Sequence, residues 1–265
     1  MSPAPKISCL ILACNEAARI KTALGHALAW ADEVVVVDKG STDGTRELAR
    51  SAGARVASIP FSRQGHENLA DLAAAAANDW VWCFTPGEVP TRRLIEAGRA
   101  LVGDDVDLIL VPMHYYSFGV HAGPTASPWS GGWQPRLYHR HRVTFTGNAH
   151  DPLRAARVAR LDGVPGVLHQ THATADSFLR SHADYAVNEA AQGTPPEVIG
   201  RASRALNQWA RPLAADPALI GQALGWQIYW LSVMLHAWER EHPGTPSAYA
   251  ARAAALLEAE WSAEP

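Results

Sequence analysis

The sequence predicts an α/β fold in which a mostly parallel central sheet is flanked by helices and followed by a helical C-terminal extension. Three observations carry that reading. The run Val34-Val35-Val36-Val37 has the character of a strand buried on both faces, as strands of parallel sheets are. Strand and helix patterns alternate regularly as far as Met113, which is the order of a parallel sheet with crossover helices. From Glu197 onward the pattern is helical, and Pro217 to Trp238 contains no Asp, Glu, Lys or Arg.

In chain order, Ile7 to Ala13 is an apolar strand, and Ala17 to Trp30 carries Ile20, Leu24 and Leu28 at spacings that fall on one helical face. Glu33 to Asp38 is the second strand, a helix follows through Ala52, and Arg55 to Ile59 is the third strand. A helix is expected from Glu67 to Ala77, a fourth strand over Trp80 to Phe84, a helix from Pro90-Thr91 to about Leu101, and a fifth strand over Leu108 to Met113. Phe118 to Gly132 is rich in Gly, Pro and Ser and reads as a mobile loop over the binding crevice. Gln134 to Tyr138 and Val143 to Thr146 read as short antiparallel strands, and residues 164–168 as one strand more. A helix from Ala175 to Gln192 stops at Gly193 before the Pro195-Pro196 break. The predicted domains are therefore residues 1–193 for the sheet and 194–265 for the helical extension. The charge-free stretch meets the length criterion of roughly 18 residues for a membrane span, but Gln222, Gln227, Ser232 and His236 dilute it. A helix packed on the domain or on a homodimer partner is the first reading, and peripheral membrane contact through its tryptophans the second.

A chain of 265 residues with 48% hydrophobic residues and a formal net charge of -3 is globular. Its arginines are scattered and no basic block occurs, so nucleic acid is excluded as a partner. Cys9, Cys14 and Cys83 show no C-x-x-C spacing and read as reduced core thiols. The N-terminus lacks the length and cleavage pattern of a signal peptide, which predicts a cytoplasmic protein.

The valine run ends in Asp38-Lys39-Gly40-Ser41-Thr42-Asp43-Gly44-Thr45. In an open parallel sheet, ligands gather at the carboxyl ends of the strands. Asp38 at that edge can accept the imide N–H of a uracil or the hydroxyl protons of a ribose, while Gly40 and Gly44 permit a tight turn. Closing the turn is the alternative role for Asp38, and capping the next helix is the expected role of Asp43.

Taken together, Ile7 through Cys14-Asn15-Glu16, then Trp30-Ala31-Asp32-Glu33 running into Val34 through Thr45, resemble the start of family 2 glycosyltransferases of the GT-A fold. The nearest subgroup resembles bacterial lipopolysaccharide core β-glucosyltransferase-like enzymes. Gln64 to Asn68, Gly132-Trp133, Arg136-Leu137-Tyr138, His150-Asp151 and Val167-Leu168-His169 extend the resemblance over residues 6–190. It implies a nucleotide-sugar donor, with a uridine diphosphate sugar as first choice, and a hydroxyl acceptor on a glycan, a lipid-linked glycan or a small molecule. It implies donor contacts at Ala13, Asn15, Glu16, Asp38 and Gly40, with Gln64 and Asn68 near the base or ribose. Asn15 and Asn68 have a second reading as helix caps.

The family pattern places D-x-D after the fourth strand, where two carboxylates hold a divalent cation against the donor diphosphate. Here Thr85-Pro86-Gly87 stands there, with Glu88 beside it. The leaving diphosphate still gains charge that must be met. Glu88 with a histidine as a weak magnesium or manganese site, replacement of the metal by Arg, His and backbone N–H groups, and lost catalysis all stay open. One carboxylate is a poor start for a hard cation, and no metal ligand set is assigned. Among His114, His121, His139, His141 and His150, and Arg136, Arg140 and Arg142, only His150 and Arg136 fall in matched motifs.

Transfer with inversion needs a base for the acceptor hydroxyl. The resemblance implies Asp151, with His150 second; the other reading of Asp151, before Pro152, is turn initiation. Trp133 offers an aromatic face for a sugar, or ordinary core packing. His169 and His172 are structural residues or donor contacts. A nucleotide-sugar-binding protein that no longer transfers is the first rival. A nucleotidyltransferase is the second, disfavoured because Cys14-Asn15-Glu16 is not a Gly-rich phosphate loop. The absence of G-x-G-x-x-G after the first strand disfavours a dinucleotide-binding dehydrogenase.

Overall fold

The structure, a computed structural model, describes residues 4–62, 65–117, 120–121, 132–146, 152–172, 175–210 and 219–241. They belong to two units, Met1–His172 and Ala173–Pro265.

The first unit begins with Ile7–Ala13 (β1), Ile20–Ala27 (α1), Glu33–Asp38 (β2), Thr45–Ser51 (α2) and Arg55–Ser58 (β3). A 3-10 turn over Gly65–Asn68 leads into Leu69–Ala74 (α3), followed by Trp80–Phe84 (β4), Glu88–Pro90 (β5) and Arg92–Leu101 (α4). The remaining strands are Leu108–Ser117 (β6), Val120–His121 (β7), Trp133–His139 (β8), Val143–Phe145 (β9), Leu153–Ala155 (β10), Val158–Arg160 (β11) and Val167–His172 (β12).

The order β3-β2-β1-β4 is wholly parallel, as expected from the βαβ alternation. Alternate valines of β2 serve opposite faces. Val34 and Val36 join Ile11, Trp82, Leu24 of α1 and Leu94 of α4, whereas Val35 and Val37 join Leu10, Val81, Cys83 and Leu72 of α3. Each fully buried valine contributes about 1.5–3 kcal/mol of transfer free energy, so a polar residue anywhere in the run would cost both a contact and a desolvation.

The other half of the sheet is mixed. β8 inserts between β4 and β6 and runs antiparallel to both. β6 is a long strand that changes partners: Leu108 to Pro112 pair with β8, while Met113 to Ser117 pair in parallel with β12. β5 then pairs antiparallel with β12. The antiparallel hairpin of β9 and β10 stands as a separate two-stranded sheet.

Several boundaries differ from the sequence expectation for identifiable reasons. The helix expected over Ala17 to Trp30 forms only over Ile20–Ala27; ahead of it Asn15 takes the left-handed φ +55, and the chain is held to another loop by Asn15 N–H to Ser41 Oγ at 2.9 Å, Glu16 N–H to Thr45 Oγ1 at 2.8 Å and Ala17 N–H to Asp43 Oδ2 at 2.9 Å. The helix expected to reach Ala77 ends at Ala74, and the N–H groups of Ala77 and Asn78 go to the Glu33 carboxylate and Ser8 hydroxyl. Pro90 lies in β5 rather than in a helix, and Thr91 caps α4 by accepting from Leu94 N–H at 3.3 Å.

The second unit contains Ala175–Ala190 (α5), Pro195–Ala205 (α6), a π-helical turn over Leu206–Ala210, and Ile220–Glu241 (α7). Gly193 takes φ +114, and Thr194 with Glu197 forms a capping box, so Pro195-Pro196 open α6 rather than merely break the chain. Phe178 stacks on His182 with ring centroids 4.0 Å apart, and Trp226 and Tyr229 of α7 meet the same His182 edge-on. No helix among the described residues is long and apolar enough to cross a membrane.

Candidate functional site

The carboxyl ends of β1, β2 and β4 bring Ala13, Asp38 and Thr85 to one edge of the sheet. Ala13 and Asp38 are register partners, and Ile11 pairs with Phe84 just before Thr85. Asp38 is fully buried. Its carboxylate accepts from Gly40 N–H at 2.9 Å and Ser41 N–H at 3.0 Å, with the Arg46 guanidinium 3.9 Å away. Both readings of Asp38 therefore concern one group: it stands at the strand end and also closes the turn, for which Gly40 at φ +92 supplies the left-handed backbone.

Asn15 sits at φ +55, the one described non-glycine residue in the left-handed region. It does not cap α1. Its Oδ1 accepts from Thr42 N–H at 2.8 Å and Thr42 Oγ1 at 3.3 Å, so the two loops are clasped from both sides. Asp43 accepts from Ala17 N–H and from Thr45 N–H, joining the same clasp. Glu16 is turned to Arg19, whose Nε and second guanidinium nitrogen donate at 2.8 and 2.7 Å. Lys39, passed over by the motif reading, is 8% exposed; its ammonium donates to Ser62 carbonyl at 2.8 Å, and burial lowers its pKa.

Asn68 precedes α3 yet does not cap it. Its side chain is buried and bonded to the Ser62 hydroxyl, with its amide 3.5 Å from Pro60 carbonyl, fastening the segment that leaves β3. Gln64, His150 and Asp151 lie outside the described residues, as does most of the loop expected over Phe118 to Gly132.

Thr85-Pro86-Gly87-Glu88 folds into a turn closed twice, by Glu88 N–H to Thr85 carbonyl at 2.9 Å and by Thr85 N–H to Glu88 Oε2 at 2.8 Å. Gly87 is buried within it. The other carboxylate oxygen of Glu88 forms an ion pair with Arg136 and lies 3.4 Å from His169 Nδ1. Strand register explains the grouping, since His169 of β12 is the direct partner of both Glu88 of β5 and Tyr115 of β6. The Tyr115 and His169 rings are 5.3 Å apart. Burial lowers the His169 pKa against the opposing pull of Glu88, and burial pushes the Tyr115 hydroxyl up to about 12. Burial also works against charge on Arg136, but Glu88 and its neighbours outweigh this and its pKa is raised.

Arg136 Nε and His169 Nδ1 are buried with no hydrogen-bond partner among the described residues. Arg136 Nε is always a donor, and His169 Nδ1 is one in the tautomer that carries its proton there; such donors suit an anionic oxygen. A divalent cation fits poorly, because both Glu88 oxygens are engaged and a guanidinium stands against one of them. Among the described residues there is no group of three or more His, Cys, Asp or Glu placed to hold a metal.

The Trp133 ring lies under the Arg160 guanidinium at 4.1 Å. The core-packing reading is the one its surroundings match. His139 is buried edge-on to Trp80, and His141 lies 3.4 Å from Asp79. Arg140 donates to Ala76 carbonyl and Arg142 to Asp104, so neither belongs to the Glu88 group.

A family model described as glycosyl transferase family 2 matches residues 8–162. An uncharacterized glycosyltransferase of Rickettsia bellii is 43% identical over 77 residues, which are 29% of this chain and 26% of that protein, and one of Rickettsia prowazekii is 40% identical over the same shares. The chain thus matches about a quarter of the length of these curated relatives. Among solved structures, glucosyl-3-phosphoglycerate synthase from Mycobacterium tuberculosis, in complex with Mn2+, uridine diphosphate and glucosyl-3-phosphoglycerate, is 21% identical with a TM-score of 0.43, covering 63% of this chain and 70% of that one. A mycobacterial protein of known structure is 20% identical with a TM-score of 0.44 over 69% of this chain and 73% of its own.

Proposed function

The chain belongs to glycosyl transferase family 2, and from that premise we propose that it moves a sugar, with inversion, from a uridine diphosphate donor to a hydroxyl acceptor without a carboxylate-bound cation. The acceptor class is a glycan, a lipid-linked glycan or a small molecule. The observation that carries this reading is the pair of buried nitrogens without partners among the described residues, the donor Arg136 Nε and His169 Nδ1, next to the turn that stands in place of D-x-D. As the glycosidic bond breaks, the diphosphate gains negative charge, and preorganised donors in a water-poor site stabilise that charge without reorganisation. The clasped loops of Asn15 and Asp38 hold the edge on which the nucleoside would lie, with Ala13, Glu16 and Gly40 in its wall and Asn68 beside it, and Gln64 is the further base or ribose contact that the family resemblance implies. Asp151 is taken as the base that removes the acceptor proton, with His150 as the second candidate.

A second reading, a nucleotide-sugar-binding protein that does not transfer, is favoured by the same loss of both aspartates. Calorimetric titration of uridine diphosphate, once with manganese and once with chelator, tests the proposal. Equal binding under both conditions is the expected result. Binding that requires manganese would overturn the cation-free site, and no binding under either condition would overturn the uridine nucleotide. Release of uridine diphosphate from a bound donor in the presence of acceptor separates transfer from binding alone.

A further inference from the structure

We propose that the outward face of α7 is a self-association seam through which two copies of this chain pair. The helix has two apolar faces. One carries Trp226, Tyr229, Val233 and Ala237, all buried, within a unit in which α7 packs on α5 and α6. The other carries Ile220, Leu224, Ile228, Leu231 and Leu235, each 46–56% exposed. From Leu224 to Leu235 the steps are four, three and four residues, the spacing of a heptad seam, with Leu224 and Leu231 at d positions and Ile228 and Leu235 at a positions. A face that merely tolerates solvent has no reason to keep that register.

The register also selects the occupant. Knobs at heptad spacing fit the holes of another helix, and β-branched Ile228 at one a position, with Leu224 and Leu231 at d, follows the pattern that favours two strands; the other a position is Leu235. A lipid surface would instead be met by basic residues flanking the apolar stripe; α7 has none before Arg240, and the chain's net charge is -3. At about half exposure, five such side chains offer roughly 400 Å² of apolar surface, as much as the largest patch on an ordinary monomer. A symmetric pair would remove about twice that from water, and the uncharged flanking residues Gln227 and Ser232 bring it near the ~1,000 Å² lower bound of a specific interface. One patch facing its own copy closes as a two-fold dimer and leaves no open end.

Sedimentation of the full chain, as wild type and as the double variant Leu231→Glu, Leu235→Glu, tests this. The wild type is expected at twice the 28.5 kDa of the monomer, and the double variant at the monomer mass with an unchanged far-ultraviolet circular dichroism spectrum. Leu231 lies near the middle of the helix, so in either orientation of the pair a Leu231→Cys variant is expected to be joined to its copy by a short bismaleimide, beyond the background that partly exposed Cys14 gives in the wild type. A wild type that stays monomeric, a dimer that survives both glutamates, or a monomer whose binding to phosphatidylcholine vesicles the glutamates abolish would each overturn the seam. If the double variant misfolds, a natively folded Leu231→Cys variant that cross-links no more than the wild type decides against it.

Discussion

Glu88 and Arg136 form an ion pair in which the carboxylate is almost wholly buried and Arg136 is largely covered. The two residues are far apart in the chain and meet because β8 enters the sheet beside β4 while β5 folds back along β12. Removing one charge leaves the other stranded in a medium that solvates it poorly. Arg136→Met is therefore expected to destabilise the protein by about 3 kcal/mol, whereas Arg136→Met with Glu88→Gln, which removes both charges, loses less. Urea unfolding of the two variants checks this; equal losses would mean that packing, not charge, holds the pair together.

The clasp between the two donor-side loops makes a second expectation. Asn15 supplies both an acceptor for Thr42 and a side chain that tolerates φ +55. Asn15→Ala loses the acceptor and, with it, the local side-chain hydrogen bonding that lets Asn tolerate the left-handed region, for a combined cost of about 2 kcal/mol. Asn15→Gly loses the same acceptor but has no Cβ to disfavour φ +55, and is expected to cost about half as much. Thermal unfolding of both variants separates the contributions, and a glycine variant as unstable as the alanine one would show that backbone conformation contributes nothing.

The parallel half of the fold was legible because it is written in local pattern: four valines in a row can only be buried on both faces, and the glycines after Asp38 fall where the backbone turns left-handed. The shortened α1 was not legible, because the segment before it is tied to another loop, through Ser41, Asp43 and Thr45, that only the fold brings near. The Tyr115-His169-Glu88 row was hidden for the same reason on a larger scale. Each residue belongs to a different strand, and only the register of β6, β12 and β5 sets them side by side. The one available signal was Val167-Leu168-His169, a histidine inside an apolar run, which points to burial but names no partner. The alternatives weighed for Glu88 did not include closing the proline-glycine turn itself, which its carboxylate does.

The buried histidine gives a pH dependence with a definite sign. Burial lowers the His169 pKa in the folded protein, whereas in the unfolded chain it titrates at about 6.5. Just below that pH the unfolded chain binds a proton that the folded protein does not, so stability falls as pH falls from 6.5 through the folded value and levels off beneath both. His139 and His182 are lowered by burial in the same direction. His169→Gln is expected to lose less melting temperature than wild type between pH 7 and pH 5. An identical decline in the two proteins would assign the effect to the other histidines.

The assignment of the base makes the sharpest demand on activity. A carboxylate that removes the acceptor proton acts in the transition state and not on the bound donor, so its loss affects turnover while leaving nucleotide affinity intact. Asp151→Asn is nearly isosteric and is expected to lower kcat by about 10²- to 10⁴-fold, with the dissociation constant for uridine diphosphate unchanged. His150→Gln, if it supports that carboxylate rather than replacing it, lowers kcat less. The measurement is release of uridine diphosphate from saturating donor as acceptor is varied, alongside the calorimetric titration. Turnover in Asp151→Asn within a few-fold of wild type would remove Asp151 from the reaction, and a loss of nucleotide affinity equal to the loss of rate would make it a binding residue instead.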